Sequence, residues 1–447
     1  MSSASRNQGH LAFTAIAASL SGLLFGFDTA VIAGTTHALT DVFALSPATL
    51  GITVSSALWG TIAGAAFSGA LSDKVGRRSC LRGLAVIYLV SAVGCAISWN
   101  WTSLLIFRIV SGLAIGASSV ISPTYIAEIA PPERRGRMVA FFQFNIVVGI
   151  LLAYLSNYLI GLAHMGLSDW RWKFGAAAIP ATLFLFALIR IPESPRWLVV
   201  HGEVSRSLTV LREMGSNDPE SEVEAIRLSL RDEQAGRSEH LFIWRNRLPI
   251  FLAVSIGFFN QASGVNAILY YSNSIFEKAG FSAMSSGLQS VSIGLTNFLA
   301  LLVAMIFIDR IGRRALLLIG SVGMAICMAG VAYIFQVQRH QSILVWMLIG
   351  FIGFFSFSQG SVIWVYLSEI FPNRVRAKGQ ALGSFTHWAM NAIISAAFPV
   401  AAAHWGPLPF WFFSGSIVLQ FLVIATTYPE THGVSLESLQ QRLTLAD

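Results

Sequence analysis

Apolar residues in this 447-residue chain gather into runs of about 20, divided by short polar stretches. Strict alternation of apolar and polar residues, the mark of a membrane β-barrel strand, is missing from these runs. Long continuous apolar segments predict membrane-crossing helices instead. They fall at roughly 11–34, 48–72, 80–99, 102–127, 138–162, 170–190, 248–275, 285–308, 315–336, 342–370, 377–400 and 408–428, about twelve in all. Between Ile191 and Arg247 the pattern changes. Here "EVSRSLTVLREM" and "PESEVEAIRLSLRDEQ" place apolar residues at helical spacing among charges, with Val223, Ile226 and Leu230 on one face. The expected organisation is a six-helix bundle over 1–190, a helical linker over 191–247, a second six-helix bundle over 248–430 and a short tail over 431–447.

Composition agrees with a polytopic all-α membrane protein: 55% of residues are hydrophobic and 11% charged. The net charge of +7 would suit a nucleic-acid binder, but its distribution argues otherwise. Lys74, Arg77, Arg78 and Arg82 follow the second run, and Arg134, Arg135 and Arg137 the fourth. Arg310, Arg313 and Arg314 follow the eighth, and Arg374, Arg376 and Lys378 the tenth. The opposite loops hold few basic residues. The positive-inside rule therefore puts these loops and both termini in the cytoplasm. The excess charge sets topology, and no nucleic-acid partner is expected. The first apolar run is too long for a cleaved signal peptide, so it is expected to remain as a membrane helix. Cys80, Cys95 and Cys327 have no metal-ligand spacing, and no metal or cofactor is expected. The sequon Asn100-Trp101-Thr102 sits in a loop so short that it reads as coincidence.

The two halves resemble each other. "SDKVGRR" from Ser72 returns as "IDRIGRR" from Ile308, and "YIAEIAPPERRGR" from Tyr125 as "YLSEIFPNRVRAKG" from Tyr366. "PESPRWL" from Pro192 has a shortened echo, "PETHG", from Pro429. Three motif pairs in one order at offsets of 236, 241 and 237 residues point to a duplicated six-helix unit. Parallel repeats of this kind build secondary transporters, with substrate held between the halves. Together, "GALSDKVGRR", "RIVSGLAIG", "PESPRWL", "QASGVNAILYYS" and "PET" resemble the sugar porter family of the major facilitator superfamily over essentially the whole chain. The resemblance implies alternating-access transport of a monosaccharide or polyol.

Asp28 is the only charge between Leu11 and Gly34. A carboxylate at that depth costs a few kcal/mol or more, so it calls for a partner, a proton or a functional role. Arg108 is the one basic residue well inside a span, roughly 10–13 Å below the Trp99–Trp101 boundary and at a depth like that of Asp28. Two readings stand for Arg108: a snorkelling helix-end cation, or the partner of Asp28. Arginine keeps its proton, so a paired carboxylate that takes up a proton releases its neighbour and lets helices rearrange. The resemblance supports a coupling role. Proton-coupled sugar porters have Asp in the matching stretch, where animal facilitative glucose carriers have a neutral residue.

A sugar presents hydroxyls around its rim and apolar faces, which amides and indoles suit. Amides occur inside the spans at Gln143, Asn260, Gln261, Asn266, Asn297 and Asn391. Each is either a ligand or interhelical glue. Gly264 would allow local unwinding beside Asn260, Gln261 and Asn266, which roughly share a face. The resemblance places Gln143, Gln261, Asn266, Asn297 and Trp364 at sugar-contacting positions, and Trp388 and Asn391 at further cavity positions. Asn260 and His387 depart from the family's usual Gln and Asn or Gln; an imidazole at 387 would hydrogen-bond or titrate. Tyr270 and Tyr271 are candidates for an outer gate or for packing. Gly22/Gly26, Gly60/Gly64 and Gly112/Gly116 have the small-xxx-small spacing of close helix pairs.

On the basic side, Asp73, Arg77, Arg78, Glu128 and Glu193 recur as Asp309, Arg313, Arg314, Glu369 and Glu430, with Arg137 and Arg376 just beyond the glutamates and Arg196 expected to join them. Their repetition suggests a salt-bridge network that closes when the inner side is shut. The expected function is proton-coupled import of a monosaccharide across the cytoplasmic membrane by a chain able to act as a monomer. The alternatives are a facilitative sugar or polyol uniporter and, less consistent with the short tail, a sugar sensor. No enzyme motif stands out.

Overall fold

The computed structural model describes residues 3–131, 134–216, 218–236, 240–372 and 374–433, with the side chains of 3–8, 231–236 and Asp309 outside that set. All regular elements among the described residues are helices. In chain order they begin α1 (Ser3–Val31), α2 (Thr36–Phe43), α3 (Pro47–Val75), α4 (Arg77–Ala96), α5 (Trp101–Ile129) and α6 (Arg135–Leu162). There follow α7 (Asp169–Ala176), α8 (Ala178–Ala187), α9 (Pro195–Val200), α10 (Val204–Glu213) and α11 (Pro219–Gly236). The second half contains α12 (Arg247–Ala262), α13 (Val265–Lys278), α14 (Ala283–Ile311) and α15 (Arg313–Val337). It ends with α16 (Gln341–Phe357), α17 (Gln359–Glu369), α18 (Arg376–His404) and α19 (Leu408–Thr427).

Among the described residues, ten helical stretches are long and apolar enough to cross a membrane. The expected spans at 170–190 and 377–400 are not among them. The first is divided at Ala177 into α7 and α8. The second, α18, runs 29 residues but carries Gly, Ser, Thr, His and Asn along its length, which lowers its hydropathy. Two other spans are broken where the sequence supplies a reason. α12 gives way to α13 at Gly264, whose φ of +83° favours glycine. α16 gives way to α17 at Ser358 (φ −116°, ψ −86°).

The chain forms two compact units: Met1–Val31 with Ser56–Ala235, and Ile32–Ser55 with Gly236–Asp447. The first is cored by Leu81, Ile121, Tyr125 and Phe184, the second by Leu252, Leu316, Tyr366 and Phe371. Val199, Leu211 and Val223 form a small separate core for α9–α11, joined by Ile226 and Leu230. The amphipathic spacing in the linker is thus a buried face in the structure.

Close helix approach in the first unit rests on glycine. A Cβ at Gly26 would collide with the carbonyl of Ile146 on α6, and one at Gly112 with the carbonyl of Ala57 on α3. Backbone cannot yield as a flexible side chain can. The sequon residue Asn100 also holds a helix end. Its Oδ1 accepts from Ser103 N at 2.8 Å, and its N–H donates to Ser103 Oγ at 3.2 Å, a reciprocal cap for α5. We expect Gly112→Val to cost at least about 1–3 kcal/mol, read as a lowered Tm in detergent. Gly69→Ala, inside α3, whose new methyl meets nothing within 4 Å, should leave Tm no lower.

Candidate functional site

In the first unit the structure brings Asp28 and Arg108 together. Arg108 Nη1 donates to Asp28 Oδ2 at 3.3 Å, and Ser111 Oγ donates to Oδ1 at 2.8 Å. Arg108 is 2% exposed, so it is a buried residue and no snorkelling cation. Its guanidinium carbon lies 5.6 Å from the centroid of the Phe174 ring, a cation–π approach. Nε of Arg108 is buried without a hydrogen-bond partner among the described residues. Each carboxylate oxygen therefore has one donor from α5. Gln143, expected near substrate, is half-buried on α6 of the same unit.

The second unit gathers the other amides at its broken helix. Asn260 and Gln261 end α12, and Asn266 lies in the first turn of α13. A Cβ at Gly264 would enter the Phe413 ring, so both φ and space require glycine there. Asn266 Nδ2 donates to Gln261 Oε1 at 2.8 Å, and Gln261 Nε2 donates to Asn260 Oδ1 at 2.9 Å. The same Nε2 lies 3.2 and 3.3 Å from the two ring nitrogens of His387, where a neutral imidazole accepts. The His387 ring is 5.2 Å from Trp364 and 5.1 Å from Trp388. Trp364 is the accessible member, 38% exposed, while Trp388 is buried.

Further along α18, Asn391 Nδ2 donates to Tyr270 OH at 3.2 Å, and Ser395 Oγ donates to Asn391 Oδ1 at 3.1 Å. Tyr271 OH donates to the Ser395 carbonyl at 2.8 Å. Both tyrosines are buried, and Tyr271 interrupts α13 with φ −115° and ψ 16°. Asn297 stands apart from this cluster and accepts from Ser356 Oγ at 2.6 Å. Ser111, Ser356 and Ser395 were not singled out from sequence. Ser111 stands three residues beyond Arg108 and Ser395 four beyond Asn391, spacings that serine, being common, makes telling only once the direction of its hydroxyl is known.

The charged ends of the units repeat one design. Arg77 reaches Asp73 at 2.8 Å and Glu128 at 3.1 Å, while Ser194 Oγ donates to Glu128 at 2.5 Å. In the second unit Arg313 reaches Glu369 at 3.2 Å. Glu193 and Glu430 differ from the expected ion pairs. Glu193 Oε1 accepts from Arg78 N at 3.0 Å and Ser194 N at 2.9 Å. Glu430 accepts from Arg313 N at 2.8 Å and Arg314 N at 3.0 Å. Each carboxylate caps the first turn of a helix, where free N–H groups and the helix dipole favour negative charge. Gly76 (φ +97°) and Gly312 (φ +91°) make the room, since a Cβ on either would meet the capping carboxylate.

Arginines of the expected network also form bonds to groups other than carboxylates. Arg78 joins through its backbone N–H, and Arg314 Nη2 donates to the Ala425 carbonyl at 2.6 Å. Arg196 Nη1 donates to Ser229 Oγ at 3.2 Å, and Arg376 Nε to the Phe371 carbonyl at 3.4 Å. Arg137 is exposed and forms no ion pair among the described residues. The Asp309 side chain lies outside the described set. Helix termini and free carbonyls are fixed donors and acceptors for the half-buried arginines, and Arg196 also lies within electrostatic reach of Glu128.

The family model for the sugar (and other) transporters matches residues 14–443. The chain belongs to the sugar transporter family. Among curated relatives of this family member, the arabinose-proton symporter of Bacillus subtilis (strain 168) is 35% identical over 445 residues, covering 98% of this chain and 96% of that protein. The D-xylose-proton symporter of Escherichia coli (strain K12) is 35% identical over 475 residues, covering 97% and 96%. The xylose transporter XylE from E. coli, in a partially occluded inward-open conformation, superposes with a TM-score of 0.86 at 33% identity, over 96% of this chain and 100% of that one. The fold is that of the major facilitator superfamily, and the chain is a transporter and no enzyme.

In this sugar transporter the repeated carboxylate–arginine clusters should be stabilising elements. Arg77→Ala takes the arginine from Glu128, whose side chain is 9% exposed and stays bonded to Ser194, and we expect a loss of up to about 3–5 kcal/mol in thermal or denaturant unfolding. Adding Glu128→Gln should recover part of that loss.

Proposed function

We propose that the protein imports a monosaccharide, pentose or hexose, together with a proton by alternating access. One observation carries this reading: a carboxylate inside a membrane helix, Asp28, bonded to a buried arginine, Arg108. Arg108 keeps its charge throughout, so the proton state of Asp28 decides whether the pair attracts. With Asp28 ionised the two side chains hold α1 to α5. When a proton binds, that attraction ends and the conformational equilibrium shifts. The named activities of the arabinose-proton and D-xylose-proton symporters support the same coupling here.

The sugar-binding role falls to Gln143, Asn260, Gln261, Asn266, Asn297, Trp364, His387, Trp388 and Asn391. Amides meet hydroxyls as both donors and acceptors, and an accessible indole such as Trp364 suits an apolar sugar face. His387 acts as a neutral acceptor that orients Gln261. Tyr270 and Tyr271, at the kink of α13, serve as the gate beside Asn391. The basic loops support residence in the cell membrane with both termini cytoplasmic. Each chain holds its own acid–arginine pair and amide cluster, which supports function as a monomer.

Reconstituted in liposomes, the protein should accumulate one or more of D-xylose, L-arabinose, D-glucose, D-galactose, D-fructose and myo-inositol only when an inward proton gradient is imposed. An uncoupler should abolish accumulation. Asp28→Asn should lose accumulation yet keep counterflow of the same sugar; accumulation by this variant would overturn the coupling role and leave a facilitative carrier. Gln261→Ala should weaken sugar binding about tenfold or more, measured by calorimetry, because it strands polar groups on Asn260, Asn266 and His387.

A further inference from the structure

Serines inside a helix usually return their hydroxyl hydrogen to a carbonyl three or four residues back. Along α5 Ser118 donates to the Ile115 carbonyl at 3.0 Å, Ser119 to Gly116 at 2.7 Å, and Thr124 to Val120 at 2.8 Å. Ser122, which meets Ser21 Oγ of α1 at 2.6 Å, and Ser111 reach across instead. The Ser111 hydroxyl, in a residue 3% exposed, is directed across to α1 and donates to Asp28 Oδ1 at 2.8 Å. That bond is shorter than the one from Arg108, at 3.3 Å. Arg108 meets the carboxylate through a single N–H, without the two-bond fork that arginine and carboxylate often form. The neighbouring Gly112, pressed on the Ala57 backbone, fixes the rotation of α5 and so the direction in which Ser111 points.

The two donors are not chemically equivalent. A guanidinium only donates, so it has nothing to offer a carboxylic O–H. A hydroxyl both donates and accepts. We infer that Ser111 is a positioning residue of the proton site, donating to Asp28 when it is ionised and accepting its O–H when it is protonated. On protonation the incoming proton settles on Asp28 Oδ1. The Ser111-to-Asp28 bond breaks, the new carboxylic hydrogen points at Ser111 Oγ, and the serine hydrogen turns back to a carbonyl of its own helix. No covalent bond to serine forms or breaks. A buried acid is thereby never left with an unpaired donor, which Arg108 alone could not ensure.

The surroundings leave this role to Ser111. From α4, Tyr88 and Cys95 are the ionisable groups within electrostatic reach of Asp28. Tyr88 OH is already bonded to Ser118 Oγ at 2.9 Å. α6 carries Tyr154, which is buried, and Tyr158, but no Asp, Glu, Lys, Arg or His from Met138 to its end at Leu162, and α8 carries no ionisable group. From α7 the ring of Phe174 faces Arg108, while Arg171 of that helix donates to the Ala96 carbonyl at 2.9 Å. α5 itself adds Arg108 as its one charge there.

This inference rests on Asp28 carrying the coupled proton, and the test separates the two. Infrared difference spectra of the full chain in lipid, recorded across pH without sugar, should contain a carboxylic C=O band that Asp28→Asn removes. In Ser111→Ala that band should move to higher frequency, as for an acid with fewer hydrogen bonds. Ser111→Thr, which keeps the hydroxyl, should return it. Ser111→Cys, close in size but a weak donor, should behave like alanine and provides the same reading if the alanine variant is poorly folded. A hydrogen bond to a charged group is stronger than one to a neutral group, so alanine should also move the pH profile of proton-driven uptake upward by about one unit, roughly tenfold in proton concentration. An Asp28 band and uptake profile unchanged in Ser111→Ala would overturn the role of Ser111 alone. A spectrum in which Asp28→Asn removes nothing would overturn the reading of Asp28, and the present inference with it.

Discussion

A charge within a membrane helix is tolerated only where other groups replace the water it gave up. Asp28 meets this condition with two donors from one helix, a guanidinium on one oxygen and a hydroxyl on the other. Much of the first unit serves that arrangement. The close approaches at Gly22 and Gly26 set α1 against α6, and those at Gly112 and Gly116 set α5 against α3. Both helices are then held at fixed rotation, and the side chains meet because the backbones have little freedom to turn. Widening either contact by one methyl group would misdirect the donors before it touched them. Packing and electrostatics are thus one constraint here.

The second unit answers a different chemical demand. Its polar groups are neutral and grouped where helices break: Asn260, Gln261 and Asn266 at the Gly264 interruption, and Tyr271 at the kink of α13. A broken helix leaves backbone polar groups unsatisfied, and in a membrane protein such breaks persist only where neighbours resupply the bonds. The amide chain running from Asn266 through Gln261 to Asn260 ties the two helix ends to each other. It also fixes which amide atoms remain free. Most of Gln261 is used internally, toward Asn260, Asn266 and His387, so it holds its neighbours in place.

How much of this could be read from the chain depended on the range of the interaction. Apolar runs and the duplicated motifs are properties of many residues at once, and they were enough for the helical class and the two-fold plan. Asp28 and Arg108 were legible because charges are so rare inside the spans that two at one depth stand out. Ser111 was not, because serine is common and only its direction distinguishes it. Glu193 and Glu430 looked like ion-pair partners, since sequence shows neighbouring arginines but not which backbone N–H groups are exposed at a helix start. Asn100 presented a modification signal and proved to be a helix cap. α18 fell short of the hydropathy of a span because the residues that dilute it, His387 and Asn391 among them, are those gathered at the polar cluster. The departures have one source: sequence records residue types, while the function of a polar side chain lies in where it points.

The duplication itself separates what is structural from what is specific. At the charged ends the units agree residue by residue, with Arg77 and Arg313 on Glu128 and Glu369, and Glu193 and Glu430 capping helices beside Gly76 and Gly312. These positions do what any unit of this build requires. In their interiors the units diverge: the acid–arginine pair belongs to the first, and the amide and imidazole cluster to the second. For the proposed symport, coupling between a proton on Asp28 and a sugar at the amides is a difference in how well each binds the states of the whole protein, and linkage requires the preference to be mutual. If the proton makes sugar binding more favourable by some factor, the sugar makes proton binding more favourable by that same factor.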